Sequence, residues 1–201
     1  MNILVTGACG MVGAALCDNL KTIRDGKNRT RPGIHIDEIF EYTHASTPEE
    51  LDGYCAKADF VFHLAGVNRP DDPADFQTGN VGLTAQLLNC LKRQGSRAPV
   101  MLSSSVQATL AGRFGDSAYG RSKRAGEDLV FAYGKETGAP VYVYRFPNLM
   151  GHSRPKYNSA VSTFCWAVAN GQPFTVNDRS TELELPVSYT HLRAHETAAN
   201  L

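Results

Sequence analysis

Short runs of apolar, mostly β-branched or aromatic residues alternate along the chain with longer stretches whose apolar positions recur every three to four residues. That alternation predicts parallel strands joined by crossover helices: a strand covered on both faces is apolar throughout, whereas an amphipathic helix buries one stripe. Ile3-Leu4-Val5-Thr6 is the first run, and Leu16, Leu20 and Ile23 form a helical stripe behind it. A basic loop over 24–33 leads to a second strand within 34–42, best placed at Ile39–Tyr42. Thr47-Pro48-Glu49-Glu50 carries helix-start signals: a capping threonine, proline at the first helical position, and a glutamate that completes a capping box. Further strands are predicted at 60–64, 100–103 and 141–146. A polar loop over 67–78 precedes a helix from about Asn80 that stops at Gly95. Two more helices run from Ser117 to about Thr137 and from Ser159 to Asn170, each followed by glycine. The pattern gives an α/β fold, a Rossmann-type doubly wound parallel sheet, with no internal repeat.

Composition narrows the function classes. With 201 residues and 42% hydrophobic content, the chain suits one domain with a real core, or one domain plus part of another. Lys+Arg 20 against Asp+Glu 20 leaves no net field to favour nucleic acid or an anionic membrane. Five scattered cysteines without a CxxC pair make neither a disulfide framework nor a zinc knuckle, and point to a reducing cytoplasm. No apolar run is long enough to span a membrane. The apolar start lacks any Lys or Arg before Lys21, which argues against a secretion signal.

Two constellations carry chemistry. Thr6-Gly7-Ala8-Cys9-Gly10-Met11-Val12-Gly13 places three glycines between a strand and a helix. Gly7 permits the tight turn, Gly10 lets amides approach a pyrophosphate, and Gly13 lets helix pack closely on strand. An ordinary tight turn would need no such spacing, and the strand before and helix after favour a dinucleotide site. The second is Ser105 with Tyr119-Gly120-Arg121-Ser122-Lys123, which sets a phenol and an ammonium four residues apart on one helix face. The ammonium is expected to lower the phenol's pKa, making Tyr119 a proton carrier. Ser105 follows the fourth strand at its carboxyl end, where open α/β sheets bind ligands, and its hydroxyl would hold a carbonyl or alkoxide.

These motifs, together with His63-Leu64-Ala65-Gly66, Ser103-Ser104-Ser105 and Arg145-Phe146-Pro147-Asn148-Leu149-Met150-Gly151, stand in the order found in one family. The chain resembles the extended short-chain dehydrogenase/reductases, the NAD-dependent epimerase/dehydratase family, over about residues 1–185. The resemblance implies a catalytic trio of Ser105, Tyr119 and Lys123, with Lys123 also touching the nicotinamide ribose. It further implies a cofactor site of Gly7, Gly10, Met11, Val12, Gly13, His44, Leu64, Ala65, Gly66, Asn80, Phe146 and Asn148. Ser105, Asn148, Asn158 and Arg179 would meet the substrate. Within the family, HLAGVNRP, LSSSVQAT, KYNSAVSTFCWAVANG and VNDR are similar to the reductase portion of bifunctional capsular-polysaccharide enzymes. Those convert a UDP-linked ketosugar to an acetamido-dideoxy sugar and carry a cupin after the reductase. Residues 1–150 would then be the dinucleotide-binding domain and 151–185 the start of a truncated substrate-binding subdomain. The partners implied are a UDP-sugar and further copies of the same chain.

Departures from the family pattern refine the expectation. NAD-preferring members place an acid just after the second strand to grip the ribose 2′-hydroxyl. Thr43-His44-Ala45-Ser46-Thr47 has none, and Glu41 is expected to point away. This favours NADP(H), with His44, Ser46 or an arginine of the 24–31 loop facing a 2′-phosphate, and leaves NAD(H) open. Val106-Gln107 replaces the acidic pair of dehydratases and argues against dehydration. Residues 186–201 break the pattern and resemble a translated sequencing adapter, so a non-native tail is expected there. His191, His195 and Glu196 fall in it, too few ligands for zinc, and no metal is expected.

Other residues have plainer readings. His63, at a strand end, reads as a structural histidine more than a base. Arg69 and Arg179 are either diphosphate contacts or solvated surface. Phe164, Cys165 and Trp166 read as packing. The leading function is an NADP-dependent reductase of a UDP-ketosugar; a nucleotide-sugar epimerase with bound NAD, a non-catalytic NADP-binding regulator and a truncated chain inactive by itself remain as alternatives.

Overall fold

The computed structural model describes residues 1–28, 30–151, 159–176 and 182. Its contacts divide the chain into two units, Met1–Phe146 and Pro147–Leu201. Asn158, Arg179, His191, His195, Glu196 and the 186–201 tail lie outside the described residues.

The first unit is a five-stranded, all-parallel sheet in the order β2-β1-β3-β4-β5. Its strands are β1 (Ile3–Thr6), β2 (Ile39–Tyr42), β3 (Phe60–His63), β4 (Val100–Ser105) and β5 (Val141–Phe146). The helices between them are α1 (Met11–Arg24), α2 (Pro48–Lys57), α3 (Leu83–Arg93) and α4 (Ala118–Thr137). The capping box forms as the sequence predicts: the Thr47 hydroxyl accepts from Glu50 N, and the Glu50 carboxylate accepts from Thr47 N. Gly95 and Gly138 end the regions they were expected to end, with φ of 62° and 74°, a conformation glycine enters without penalty. On one face of the sheet, Leu4, Val61, Val100 and Leu102 pack with Leu51, Leu87, Leu91, Val130 and Tyr133 from α2, α3 and α4. Truncating Leu87 or Leu91, both fully buried, to alanine would cost about 2–5 kcal/mol.

Two elements depart from the sequence expectation. β4 runs through Ser105 and does not stop at 103, because Ser104 and Ser105 stay in register with Arg145 and Phe146 on β5. The third helix opens with a π-helical turn at Gln77–Gly82 before α3. That wide turn is held by tertiary bonds: Asn80 Oδ1 accepts from Val67 N at 2.8 Å, and its amide donates to Val67 O at 3.0 Å. Gly79 lies so close to Val67 that a Cβ there would fall 2.3 Å from Val67 Cγ2.

In the second unit, α5 (Ala160–Ala169) starts where the Ser159 hydroxyl accepts from Ser162 N. Phe164 packs on Phe174 with ring centroids 5.0 Å apart. Cys165, expected to pack, is exposed, because it falls on the helix face turned to solvent.

Candidate active site

The glycine turn closes because three backbone segments approach one another without side chains between them. Gly7 takes φ 71°, and a Cβ on it would meet Ala65 N and Cα at 2.7 Å. A Cβ on Gly13 would sit 2.1 Å from the Gly7 carbonyl oxygen, so only glycine lets α1 come this near the end of β1. Gly10 is the α1 N-cap, and no side chain caps that end. The first-turn amides of α1, those of Met11, Val12 and Gly13 among them, therefore retain the unsatisfied donors and positive dipole end that a pyrophosphate requires. Leu64 and Ala65 are tied to β1: Leu64 N donates to Thr6 O, and Ala65 N to Thr6 Oγ1. His44, exposed, lies beside this turn with Nδ1 3.6 Å from Cys9 Sγ. Glu41 is drawn to α1 by Lys21, whose Nζ is 2.6 Å from Oε1.

The second half of the site is built by α4 against β4. Ser117 caps α4 by accepting from Gly120 N, and donates to Gln107 Oε1 at 2.7 Å. Gly120 presses on the Gln107 backbone, where a Cβ would come within 2.4 Å of the carbonyl oxygen. Helix and strand then match residue by residue. The Tyr119 phenol lies close enough to Ser105 for the serine hydroxyl to favour its ionised form. Lys123 Nζ donates to Ser103 O at 3.2 Å, and Ser104 Oγ donates to Glu127 Oε1 at 2.5 Å. Ser105 Oγ accepts from Gln107 N at 3.2 Å, so its one O–H is the donor it can turn toward Tyr119 or toward a ligand oxygen. Phe76 covers the tyrosine ring at 5.8 Å between centroids.

Gly66, Asn80 and Lys123 converge. A Cβ on Gly66 would lie 2.7 Å from Asn80 Oδ1 and 2.9 Å from Lys123 Nζ. Asn80, named from the sequence as a cofactor residue, spends its side chain on the protein itself: besides Val67 it donates to Ser122 Oγ at 2.9 Å. Phe146, buried at the end of β5, is the register partner of Ser105. Asn148 belongs to the second unit, and Arg69 is exposed.

The electrostatics correct one expectation. The phenol of Tyr119 is pushed up to about 12, not down, because loss of solvent outweighs the effect of the Ser105 hydroxyl. Lys123 Nζ stands 5.8 Å from the tyrosine ring centroid and is itself lowered to about 8 by desolvation. His63 is fully buried with both ring nitrogens occupied, Nδ1 on Thr6 Oγ1 at 2.7 Å and Nε2 on Thr84 Oγ1 at 2.8 Å. That is a structural environment, and burial lowers its pKa to about 3.

Sequence reasoning missed Phe76, Thr84, Ser122, Ser104 and Glu127. Only Glu127 left a signal there, lying four residues after Lys123 on the same helix face. Among the described residues no helix is long and apolar enough to cross a membrane, and no three His, Cys, Asp or Glu side chains form a metal-binding group.

A family model described as the NAD dependent epimerase/dehydratase family matches residues 3–184. The chain is 41% identical over 186 residues to a UDP-2-acetamido-2,6-beta-L-arabino-hexul-4-ose reductase of Pseudomonas aeruginosa, covering 92% of this chain and 46% of that protein. It is similar in structure to the capsular polysaccharide assembling protein CapF of Staphylococcus aureus, with a TM-score of 0.77, 38% identity, and coverage of 98% and 48%. A UDP-glucuronic acid 4-epimerase of Bacillus cereus shares the fold, with a TM-score of 0.75 at 22% identity over 99% of this chain and 74% of that one. The chain spans about half the length of the first two.

Proposed function

The chain belongs to the NAD dependent epimerase/dehydratase family, and from that premise we propose that it is an NADP-dependent reductase of a UDP-linked acetamido-dideoxy ketosugar, serving synthesis of a bacterial capsular or surface polysaccharide. The observation that carries this reading is the pairing of Tyr119 with Ser105 beside a buried Lys123 that rests against Gly66. The glycine turn fits a dinucleotide: Gly13 leaves room for the turn, and the uncapped α1 amides offer donors to its phosphates.

A bound nicotinamide dinucleotide supplies a hydride, and the residues of this chain supply the rest. Ser105 Oγ donates a hydrogen bond to the sugar carbonyl oxygen and holds it against Tyr119. The phenol is neutral at physiological pH, so it has a proton to give. As the carbonyl carbon gains its new C–H bond, the C=O π pair moves onto oxygen and takes the Tyr119 proton. Lys123 favours the resulting phenolate, from which solvent restores the proton. Asn148, Asn158 and Arg179 are assigned to the sugar nucleotide. NADP(H) is favoured because the loop after β2 has no acid and Glu41 is bound to Lys21, which leaves His44 and Ser46 to face a 2′-phosphate. The five free cysteines fit a reducing compartment, the cytoplasm.

The test is a single-turnover assay of the 201-residue chain with 4-deuterated NADPH and UDP-2-acetamido-2,6-dideoxy-hexos-4-ulose. Deuterium at the former carbonyl carbon, one per NADPH oxidised, supports the reductase. Interconversion of a UDP-sugar without net NADPH consumption would make it an epimerase, and NADPH binding with no transfer to sugar would leave a regulator.

A further inference from the structure

The catalytic face of α4 continues past the residues that do chemistry. Tyr119, Lys123 and Glu127 follow at four-residue steps, and each meets one of three consecutive serines of β4: Ser105, the Ser103 carbonyl and Ser104. Glu127 is the deepest rung, its side chain 1% exposed. Its carboxylate takes three bonds: Ser104 Oγ to Oε1 at 2.5 Å, Arg145 Nε to Oε1 at 2.8 Å, and Arg145 Nη2 to Oε2 at 2.6 Å. The arginine fork is bidentate and planar, so it fixes the orientation of the carboxylate as well as its distance. Ser104 and Arg145 are opposite one another on β4 and β5, so Glu127 binds two strands at one register position.

A buried ion pair is a poor source of net stability, because desolvation offsets much of the attraction; what it does well is specify one arrangement. A helix lying on a sheet through Leu and Val contacts can slide or rotate slightly at small cost. The Glu127 rung removes that freedom one and two turns from the reacting groups. We infer that Glu127, clamped by Arg145 and Ser104, is a positioning residue that sets the axial register of α4 and so places Tyr119 against Ser105 and Lys123 against Gly66. It touches neither substrate nor cofactor. The inference deepens the reductase reading, and depends on that reading only for its consequence in turnover.

Glu127→Gln in the full chain removes the charge and one acceptor while keeping side-chain size. Two readouts follow. The Lys123 ammonium, which desolvation lowers to about 8, can be followed by NMR and identified through its loss in Lys123→Met; in Glu127→Gln its pKa should move up by on the order of one unit toward its solvated value. Loss of a nearby carboxylate charge alone would move it down, so the sign separates loosening from simple electrostatics. In the ketosugar assay kcat should fall about tenfold or more, with KM within about threefold, since misplacing a reacting group costs rate more than binding. Arg145→Lys should recover part of what Arg145→Met loses. Ser104→Ala, which deletes one of the three bonds, should shift both readouts in the same direction by less, and it decides the matter if Glu127→Gln does not fold. A folded Glu127→Gln protein in which Lys123 titrates unchanged or lower overturns the inference. If the parent chain reduces no ketosugar, the reductase reading falls while the Lys123 titration still decides the role of Glu127.

Discussion

Ser104 and Arg145 stand opposite each other on neighbouring parallel strands and close on the same carboxylate, that of Glu127. One helix is thereby tied to the β4–β5 ladder at the position adjoining Ser105. The proposed reacting groups, Ser105, Tyr119 and Lys123, sit on a strand and a helix and are not carried on a loop. Several outcomes can be measured on that arrangement.

Tyr119 is the proposed proton donor. Tyr119→Phe keeps the ring against Phe76 and removes only the hydroxyl. The expected result is a kcat lowered about a hundredfold or more with NADPH affinity retained. Turnover within a few-fold of the parent would remove Tyr119 from the mechanism.

Cofactor choice follows from the loop after β2. Isothermal titration should show NADPH binding more tightly than NADH, and equal or reversed affinities would contradict the reading. Thr43→Asp, which supplies the missing acid just after Tyr42, should turn the preference toward NADH.

Gly13 and Gly53 make a matched pair. A Cβ at Gly13 meets the Gly7 backbone, whereas Gly53, inside α2, has nothing within 4 Å. Gly13→Ala should lower Tm by on the order of 5 °C and abolish NADPH binding. Gly53→Ala should instead stabilise by about 0.5–1 kcal/mol through helix propensity, with binding unchanged. Equal behaviour of the two variants would mean that the turn yields more easily than its geometry implies.

His63 sets an acid limb of stability. Its folded pKa of about 3 lies below the ordinary value near 6.5. The unfolded chain therefore binds the proton first, so this contribution is present above pH 6.5 and is lost as pH falls toward 3. The loss approaches about 1.4 kcal/mol per pH unit once the unfolded imidazole is charged. Between pH 6.5 and 5 the carboxylates barely titrate, so that window belongs to the histidine. Urea unfolding should show stability declining from pH 7 to 5 in the parent and a flatter profile in His63→Asn. Parallel profiles would show that His63 is not held neutral.

The strand–helix alternation, the capping box at Thr47, the glycine spacing and the Tyr119–Lys123 pair were all legible in the amino-acid sequence, because each is set by contacts within a turn or two of chain. Periodicity and capping are local, and a glycine triplet between strand and helix has few other uses. Ser104 looked like one polar residue in a serine run, and Arg145 like the start of a motif. Their role appears only when β4 and β5 pair and Glu127 arrives from a helix that lies between them in sequence. The π-helical turn at Gln77–Gly82 is likewise decided by Asn80 reaching back to Val67. The direction of the Tyr119 shift was misread for the same reason. Spacing along a helix places an ammonium near a phenol, but only packing decides how much water either keeps, and here lost solvation dominates both shifts. Sequence fixes what is local along the chain; burial and hydrogen bonds between distant segments depend on tertiary structure, because they require surfaces that exist only after the sheet has formed.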